Sequence, residues 1–202
     1  MKKLLIATHN EGKAFEFKAL FEDYGITIET LNDYPEIPEI EETGKTFKEN
    51  AALKAEAIAN LTNQMVISDD SGLSVDALDG APGVYSARYA GEPKSDANNN
   101  AKLIAELAKT GTTNRTAKFH CTIAVAVPDE ATRFYEGEIA GVITKKAIGT
   151  AGFGYDPYFY VPSIGKTTAQ MTMSEKNLIS HRGNAIKQLA LDLPNLIALV
   201  SK

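Results

Sequence analysis

Two adjacent carboxylates pose the first chemical question. The segment Val66-Ile67-Ser68-Asp69-Asp70-Ser71-Gly72-Leu73 carries a short apolar run into an acidic pair, then a hydroxyl, a glycine and a second apolar run. Neighbouring Asp side chains at a strand end repel each other and resist burial unless a cation neutralises them. A hard divalent ion such as Mg²⁺, which takes oxygen ligands, meets that need. A polar turn between two strands would account for the same letters. The first strand-to-helix turn, Thr8-His9-Asn10-Glu11-Gly12-Lys13, has the layout of a P-loop without its sequence. Ala7 and Ala14 stand where G-x-x-x-x-G-K-[ST] needs Gly and a hydroxyl. The missing hydroxyl would have bound metal, so a metal must be held elsewhere. The backbone N–H groups of the helix start and the Lys13 ammonium still suit an anion.

Carboxylates are the natural place to seek metal ligands. Asp70 ends the central strand, and Glu42, next to Glu41, lies in the acidic loop that leads into the second helix. Lys54 follows the apolar run Ala51-Ala52-Leu53 and needs an anionic partner or a path for its stem to solvent. In Gly152-Phe153-Gly154-Tyr155-Asp156-Pro157, two aromatics spaced by a glycine and followed by an acceptor form a slot for a flat heterocycle, or a tight turn with packed rings. In the first case Asp156 would orient a ring N–H. Lys176 and Ser180-His181-Arg182-Gly183 place three donors close together, with Lys176 suited to a phosphate and His181 and Arg182 to carbonyl oxygens. A His-Arg pair at a helix start also serves as a cap or a surface feature.

The elements that must hold these residues are legible from periodicity. Lys3 to Ala7 reads as a buried strand, Gly12 to Tyr24 as a helix with Gly25 as its C-cap, and Ile26 to Leu31 as a strand. Thr46 with Glu49 forms a capping-box pattern that opens a helix to about Leu61. Ser95 or Asp96 caps a third helix running to about Lys109. Phe119 to Val127 is a strong strand, and Arg133 to Ile148 reads as strands broken at Gly137 and Gly141. Phe159 to Val161 reads as a short strand, and Ser174 and Ser180 each precede a helical pattern, the second reaching the C-terminus. Helices alternate with strands early, and antiparallel strands follow. The expected fold is α/β, with two lobes around a central mixed sheet, residues 1–202 forming one domain, and a site in the cleft between lobes.

Composition narrows the functional classes. With 202 residues, 44% hydrophobic and 23% charged, the chain can build an ordinary core. A net charge of −5 argues against a general nucleic-acid binder. No apolar run approaches the roughly 20 residues of a membrane span, and the N-terminal apolar run is too short for a secretory signal. Cys121 is alone, so no disulfide framework or Cys-rich zinc site is expected, and a cytoplasmic setting follows as the default.

Taken together, THNEGK, EETGKTFKENAALKA, SDDSGLSVDALDGAPGVYSARYAG, GFGYDPYFYVP and SEKNLISHRG resemble the inosine triphosphate pyrophosphatase family, in order, from residue 3 to about 190. The resemblance implies an elongated two-lobed α/β fold, a homodimer, and Mg²⁺-dependent hydrolysis of XTP, ITP and dITP to the monophosphate and pyrophosphate. It implies that Thr8, His9, Asn10, Glu11, Gly12 and Lys13 bind the triphosphate. It makes Glu42 and Asp70 the Mg²⁺ ligands, with Asp70 also the general base. Lys54, Ser71 and Lys176 would contact phosphates. Phe153, Gly154, Tyr155 and Asp156, with His181 and Arg182, would hold the base. His9 departs from the Gly of many members. A 6-oxo purine would accept a hydrogen bond where adenine presents a donor, a mismatch of about 1–3 kcal/mol. The alternatives are a pyrophosphatase for modified pyrimidine nucleotides and a non-catalytic nucleotide-binding protein.

Overall fold

The computed structural model describes residues 2–22 and 25–199. Strands β1 (Lys2–Ile6), β2 (Ile26–Thr30), β3 (Val66–Val75), β4 (Thr116–Ala126), β5 (Arg133–Ile143), β6 (Phe159–Val161) and β7 (Lys166–Thr167) follow the hydrogen-bonded order β2-β1-β3-β4-β5-β6-β7. β1 pairs in parallel with β2 and β3, whereas β5–β6 and β6–β7 are antiparallel, so the sheet is mixed, as expected. The helices are α1 (Glu11–Glu22), α2 (Phe47–Thr62), α3 (Asp96–Thr110), α4 (Met173–Ile179) and α5 (His181–Leu199). No helix among the described residues is long and apolar enough to cross a membrane.

The chain divides into two compact units. The first comprises Met1–Asp70, Cys121–Gly137 and Arg182–Lys202. Here the period-2 alternation of the strands sorts side chains to two apolar layers. Leu4, Ile6 and Ile67 pack with Phe17 and Phe21 of α1 and Ala185, Ile186 and Leu189 of α5. Leu5, Ala7 and Val66 pack with Ala51, Ala55 and Ile58 of α2. The small residues on α2 let that helix approach its sheet face closely. The second unit, Ser71–His120 and Glu138–His181, has a core of its own. Leu73 and Val75 of β3 meet Leu103 and Leu107 of α3, with Phe119, Phe159 and Met171.

Several expectations hold closely. Thr46 caps α2 in a capping box with Glu49, Ser95 caps α3, and Gly25, at φ +64°, donates its N–H to Glu22 as a helix-ending residue should. Tyr24, expected in the last turn of α1, and the last three residues, expected in α5, lie outside the described residues.

Three expectations are corrected. β3 does not end at Asp70 but runs unbroken to Val75, because the charges that should have stopped it have found partners. β5 is one strand through both Gly137 and Gly141. At Gly141 a Cβ would lie 2.6 Å from the Tyr160 carbonyl oxygen and 2.7 Å from the Phe159 ring, so the glycine permits close packing rather than a break. α4 is capped by Thr172, whose hydroxyl accepts from the Glu175 N–H, rather than beginning after Ser174. The two-residue strand β7 is too short to have left a periodic signal.

Leu103 is fully buried in the second unit's core. Leu103→Ala should therefore destabilise the protein by about 2–5 kcal/mol, read from urea unfolding.

Candidate active site

The two carboxylates of β3 are the centre of the first unit, and strand geometry separates them. Asp69 shares the face of Ile67, toward α1 and α5; Asp70 shares that of Val66 and Ser68, toward α2. Both are inside the protein, at 0% and 5% exposure. Their surroundings differ sharply.

Asp69 sits in a buried ion-pair network. Its Oδ2 lies 3.2 Å from Lys13 Nζ and accepts from an Arg182 terminal nitrogen at 2.9 Å. The other Arg182 terminal nitrogen donates to Glu16 of α1, and the guanidinium lies over the Phe17 ring with its carbon 5.8 Å from the centroid. Burial pushes the Asp69 pKa up, but Lys13, Arg182 and Lys54 together outweigh it and hold the carboxyl well below the usual range. Burial pulls Arg182 down, and Asp69 and Glu16 raise it above its ordinary value. Sequence reasoning aims Arg182 at a base oxygen; the structure gives its two terminal nitrogens to carboxylates.

Asp70 has the opposite balance. Burial raises its pKa to about 6; Lys13 and Lys54 and a hydrogen bond from Asn50 pull it down without cancelling that, and Glu42 adds to the rise. Asn50 Nδ2 donates to Asp70 Oδ2 at 3.0 Å. One turn on along α2, Lys54 Nζ donates to Glu42 Oε1 at 2.6 Å and to the Asp69 carbonyl at 2.8 Å. Lys54 is thus the partnered lysine of the two options its sequence context left open.

The first turn of α1 is an ordered, capped helix start. Asn10 caps it, with Oδ1 accepting from the Lys13 N–H at 2.9 Å, and the Thr8 hydroxyl accepts from the Asn10 N–H at 3.1 Å. Glu11 and Gly12 supply the next first-turn N–H groups. His9 Nδ1 lies 3.2 Å from Asn32 Oδ1, so the His9 ring ties this turn to the segment after β2.

In the second unit, the 152–156 turn is organised by Asp156, at 3% exposure. Its Oδ2 accepts from the Phe153 N–H at 2.9 Å and from Lys176 Nζ at 2.6 Å, and its Oδ1 accepts from the Thr168 hydroxyl at 2.8 Å. The Lys176 ammonium also lies 5.3 Å from the Phe153 ring centroid. The Gly154 peptide is clamped by α3, with its N–H donating to Asp96 at 2.7 Å and its carbonyl accepting from Asn100 at 2.8 Å. The Tyr155 hydroxyl donates to the Ser86 carbonyl at 2.8 Å. The buried His181 ring stacks on Phe119 with centroids 4.8 Å apart. Ser71, half-buried on β3, opens this unit.

Five residues of this machinery carry too little sequence signal to be picked out: Glu16, Asn50, Asp96, Asn100 and Thr168. Glu16 alone offers a hint, as a carboxylate at an apolar helix position beside Phe17.

The donor set tests whether a divalent ion fits. Among the described residues no group of three or more His, Cys, Asp or Glu could hold a metal alone. Two carboxylates close enough for Glu42 to raise the Asp70 pKa suit a hard ion that takes its remaining oxygens from water and phosphate, as Mg²⁺ does.

Comparison with known proteins places the chain. It matches the Ham1 family over residues 4–191. It belongs to that family. A relative from Listeria monocytogenes, named dITP/XTP pyrophosphatase, is 58% identical over 202 residues, all of both chains. A Halalkalibacterium halodurans protein of the same name is 53% identical over 189 residues, 94% of this chain and 97% of its own. Among solved structures, the Staphylococcus aureus Ham1 protein matches at TM-score 0.85 and 47% identity, covering 96% of this chain and 99% of that one. A Ham1 protein from Coxiella burnetii matches at TM-score 0.87 and 41% identity, covering 96% of this chain and 100% of that one.

Two consequences of this member's charge arrangement are measurable. Arg182→Met removes the guanidinium shared by two buried carboxylates, leaving Asp69 its Lys13 contact, and should cost about 3–5 kcal/mol in urea unfolding. For Asp70 the folded pKa lies above the unfolded one, so the folded state holds the extra proton. Stability therefore falls as pH rises from about 4 to about 6, by up to roughly 3 kcal/mol, and stays low above that. Asp70→Asn removes this penalty. In EDTA the variant should melt above wild type at pH 7.5, with the advantage vanishing near pH 4.

Proposed function

We propose that this protein hydrolyses non-canonical purine nucleoside triphosphates, dITP, ITP and XTP, to the monophosphate and pyrophosphate. The observation that carries the reading is the asymmetric carboxylate pair. Asp69 is locked into a structural network, while Asp70, poised near pH 6, stands beside Glu42, Lys54 and Lys13. The relatives named dITP/XTP pyrophosphatase support the dITP and XTP part of this reading.

A triphosphate carries about four negative charges at neutral pH and repels an attacking water. The Thr8 to Lys13 turn supplies backbone N–H groups and an ammonium to bind it, and Lys54 a second ammonium. Ser71 adds a hydroxyl. Asp70 accepts the proton of the attacking water, a role its burial favours by raising its basicity. Attack at the α-phosphorus releases pyrophosphate, whose charge Lys13 and Lys54 oppose. Glu42 and Asp70 are the residues that would hold Mg²⁺, which supplies charge neutralisation on the phosphate oxygens when bound.

For the base we assign Phe153 as the stacking surface and His181 as a polar contact, and we move Lys176, expected on a phosphate, to the base because its ammonium lies 5.3 Å from the Phe153 centroid. Gly154 and Tyr155 shape the turn. Asp156 acts through the groups it holds, Phe153 and Lys176, and Arg182 through Asp69 and Glu16. The same reading, on the family resemblance of the sequence, includes a homodimer working in the cytoplasm.

The test is pyrophosphate release from dITP, ITP, XTP, ATP, GTP and modified pyrimidine triphosphates, each with Mg²⁺ or with EDTA. Mg²⁺-dependent release favouring the three deaminated purines is expected, with Asp70→Asn at least about 100-fold slower. Nucleotide binding without pyrophosphate release, or a preference for the pyrimidine set, would replace the reading.

A further inference from the structure

Asn50 makes a bridge that the proposed chemistry does not yet use. It is fully buried on α2. One end of its amide, Oδ1, accepts the Gly44 N–H at 2.7 Å; the other, Nδ2, donates to Asp70 Oδ2 at 3.0 Å. Gly44 lies two residues after Glu42, so a single planar amide ties the acidic loop to the β3 carboxylate. Nothing larger than glycine fits at the loop end. A Cβ at Gly44 would lie 2.6 Å from Asn50 Oδ1 and 2.7 Å from the Glu49 Cβ.

The rest of the loop is fastened to the same two turns of α2. Glu49 accepts from the Lys45 and Thr46 N–H groups at 2.6 and 3.2 Å, and Lys54 holds Glu42 itself. Asn50 differs from these fasteners in also touching Asp70. An amide of this length does both tasks without adding charge, where a Ser hydroxyl, though able to accept and donate, is too short to span them. An Asp would keep the bond from Gly44 but face Asp70 with a second carboxylate, and a Leu would lose both bonds.

We propose that Asn50 is a positioning residue that sets the spacing of Glu42 and Asp70 and turns the Asp70 carboxylate toward its metal and water. This inference rests on the reading of those two carboxylates as divalent-ion ligands. Partners of this kind, one bond removed from an ion, typically contribute 10–100-fold in affinity or rate when lost.

The test titrates the full-length protein with Mn²⁺ alone, following the electron paramagnetic resonance of the free ion, and measures Mg²⁺-dependent ITP hydrolysis in parallel. Wild type, Asp70→Asn, Asn50→Leu, Asn50→Ser and Gly44→Ala are compared, with thermal melts to confirm folding. The expected result is a 10–100-fold loss of Mn²⁺ affinity and of kcat in Asn50→Leu, Asn50→Ser and Gly44→Ala, with KM changed less than about threefold. Folded Asn50 variants that match wild type in both readouts overturn the inference while leaving the parent reading intact. A KM effect alone, or failure of both Asn50 variants to melt cooperatively, also overturns it by making Asn50 a binding or a purely structural residue. Mn²⁺ binding unchanged in Asp70→Asn, with no hydrolysis by wild type, identifies failure of the parent reading instead.

Discussion

Everything in the first unit depends on a stereochemical fact about β-strands: successive side chains point to opposite faces. Asp69 and Asp70 would repel each other strongly if both faced one side. On an unbroken strand they are divided between two layers of helices, and each layer answers its own carboxylate. α1 and α5 bring Lys13 and Arg182 to Asp69, so that charge is over-compensated. α2 brings an amide and Lys54 to Asp70, and these with Lys13 fall short of offsetting its burial. One carboxyl is held well below the usual range and its neighbour is raised.

The over-compensated side has a structural logic. Desolvating an ion costs several kcal/mol, and a network such as Lys13–Asp69–Arg182–Glu16 recovers that only if geometry is good and every charge is paired. Such a network adds little net stability but tolerates few alternative arrangements. It therefore fixes the start of α1 relative to β3 within this unit, and the start of α1 is the turn proposed to bind the triphosphate. Cys121 lies within reach of the same field; burial dominates and pushes its thiol up to about 12, which keeps it an inert core side chain.

Much of the fold could be read directly. Residues with strong local signals, such as the Thr46–Glu49 box, the Ser95 cap and Gly25, fall where periodicity and capping chemistry put them. What resisted reading is where tertiary contacts override local preference. Asp69-Asp70-Ser71-Gly72 has turn composition, yet it is mid-strand because its partners come from residues 13, 50 and 182. Gly141 resembles a strand breaker, yet its missing side chain makes room for Phe159 and Tyr160. The site was legible to a similar degree. Lys54 announces itself as a charge among apolar residues, Glu42 as part of an acidic loop and Lys13 as the lysine of a P-loop-like turn. Asn50, Asn100 and Thr168 are ordinary polar letters whose importance lies only in what they touch.

The second unit applies the same principle with different parts. Asp156 distributes two oxygens among a backbone N–H, an ammonium and a hydroxyl, and so fixes the Phe153 ring and the Lys176 charge in one arrangement. Gly152, at φ +78°, is required there twice over, since its backbone conformation disfavours any side chain and a Cβ would lie 2.0 Å from Asp156 Oδ2. An aromatic face with an ammonium close to it can hold a flat ring without using its carboxylate on the ligand. The carboxylate instead holds the surface in one arrangement, which would lower the ordering cost of the base binding proposed there. In both units, then, a buried acid anchors the groups around it: Asp69 in the first, Asp156 in the second. Unlike Asp69, Asp70 is left with burial that its positive neighbours do not offset, and that is why the chemistry is assigned to it.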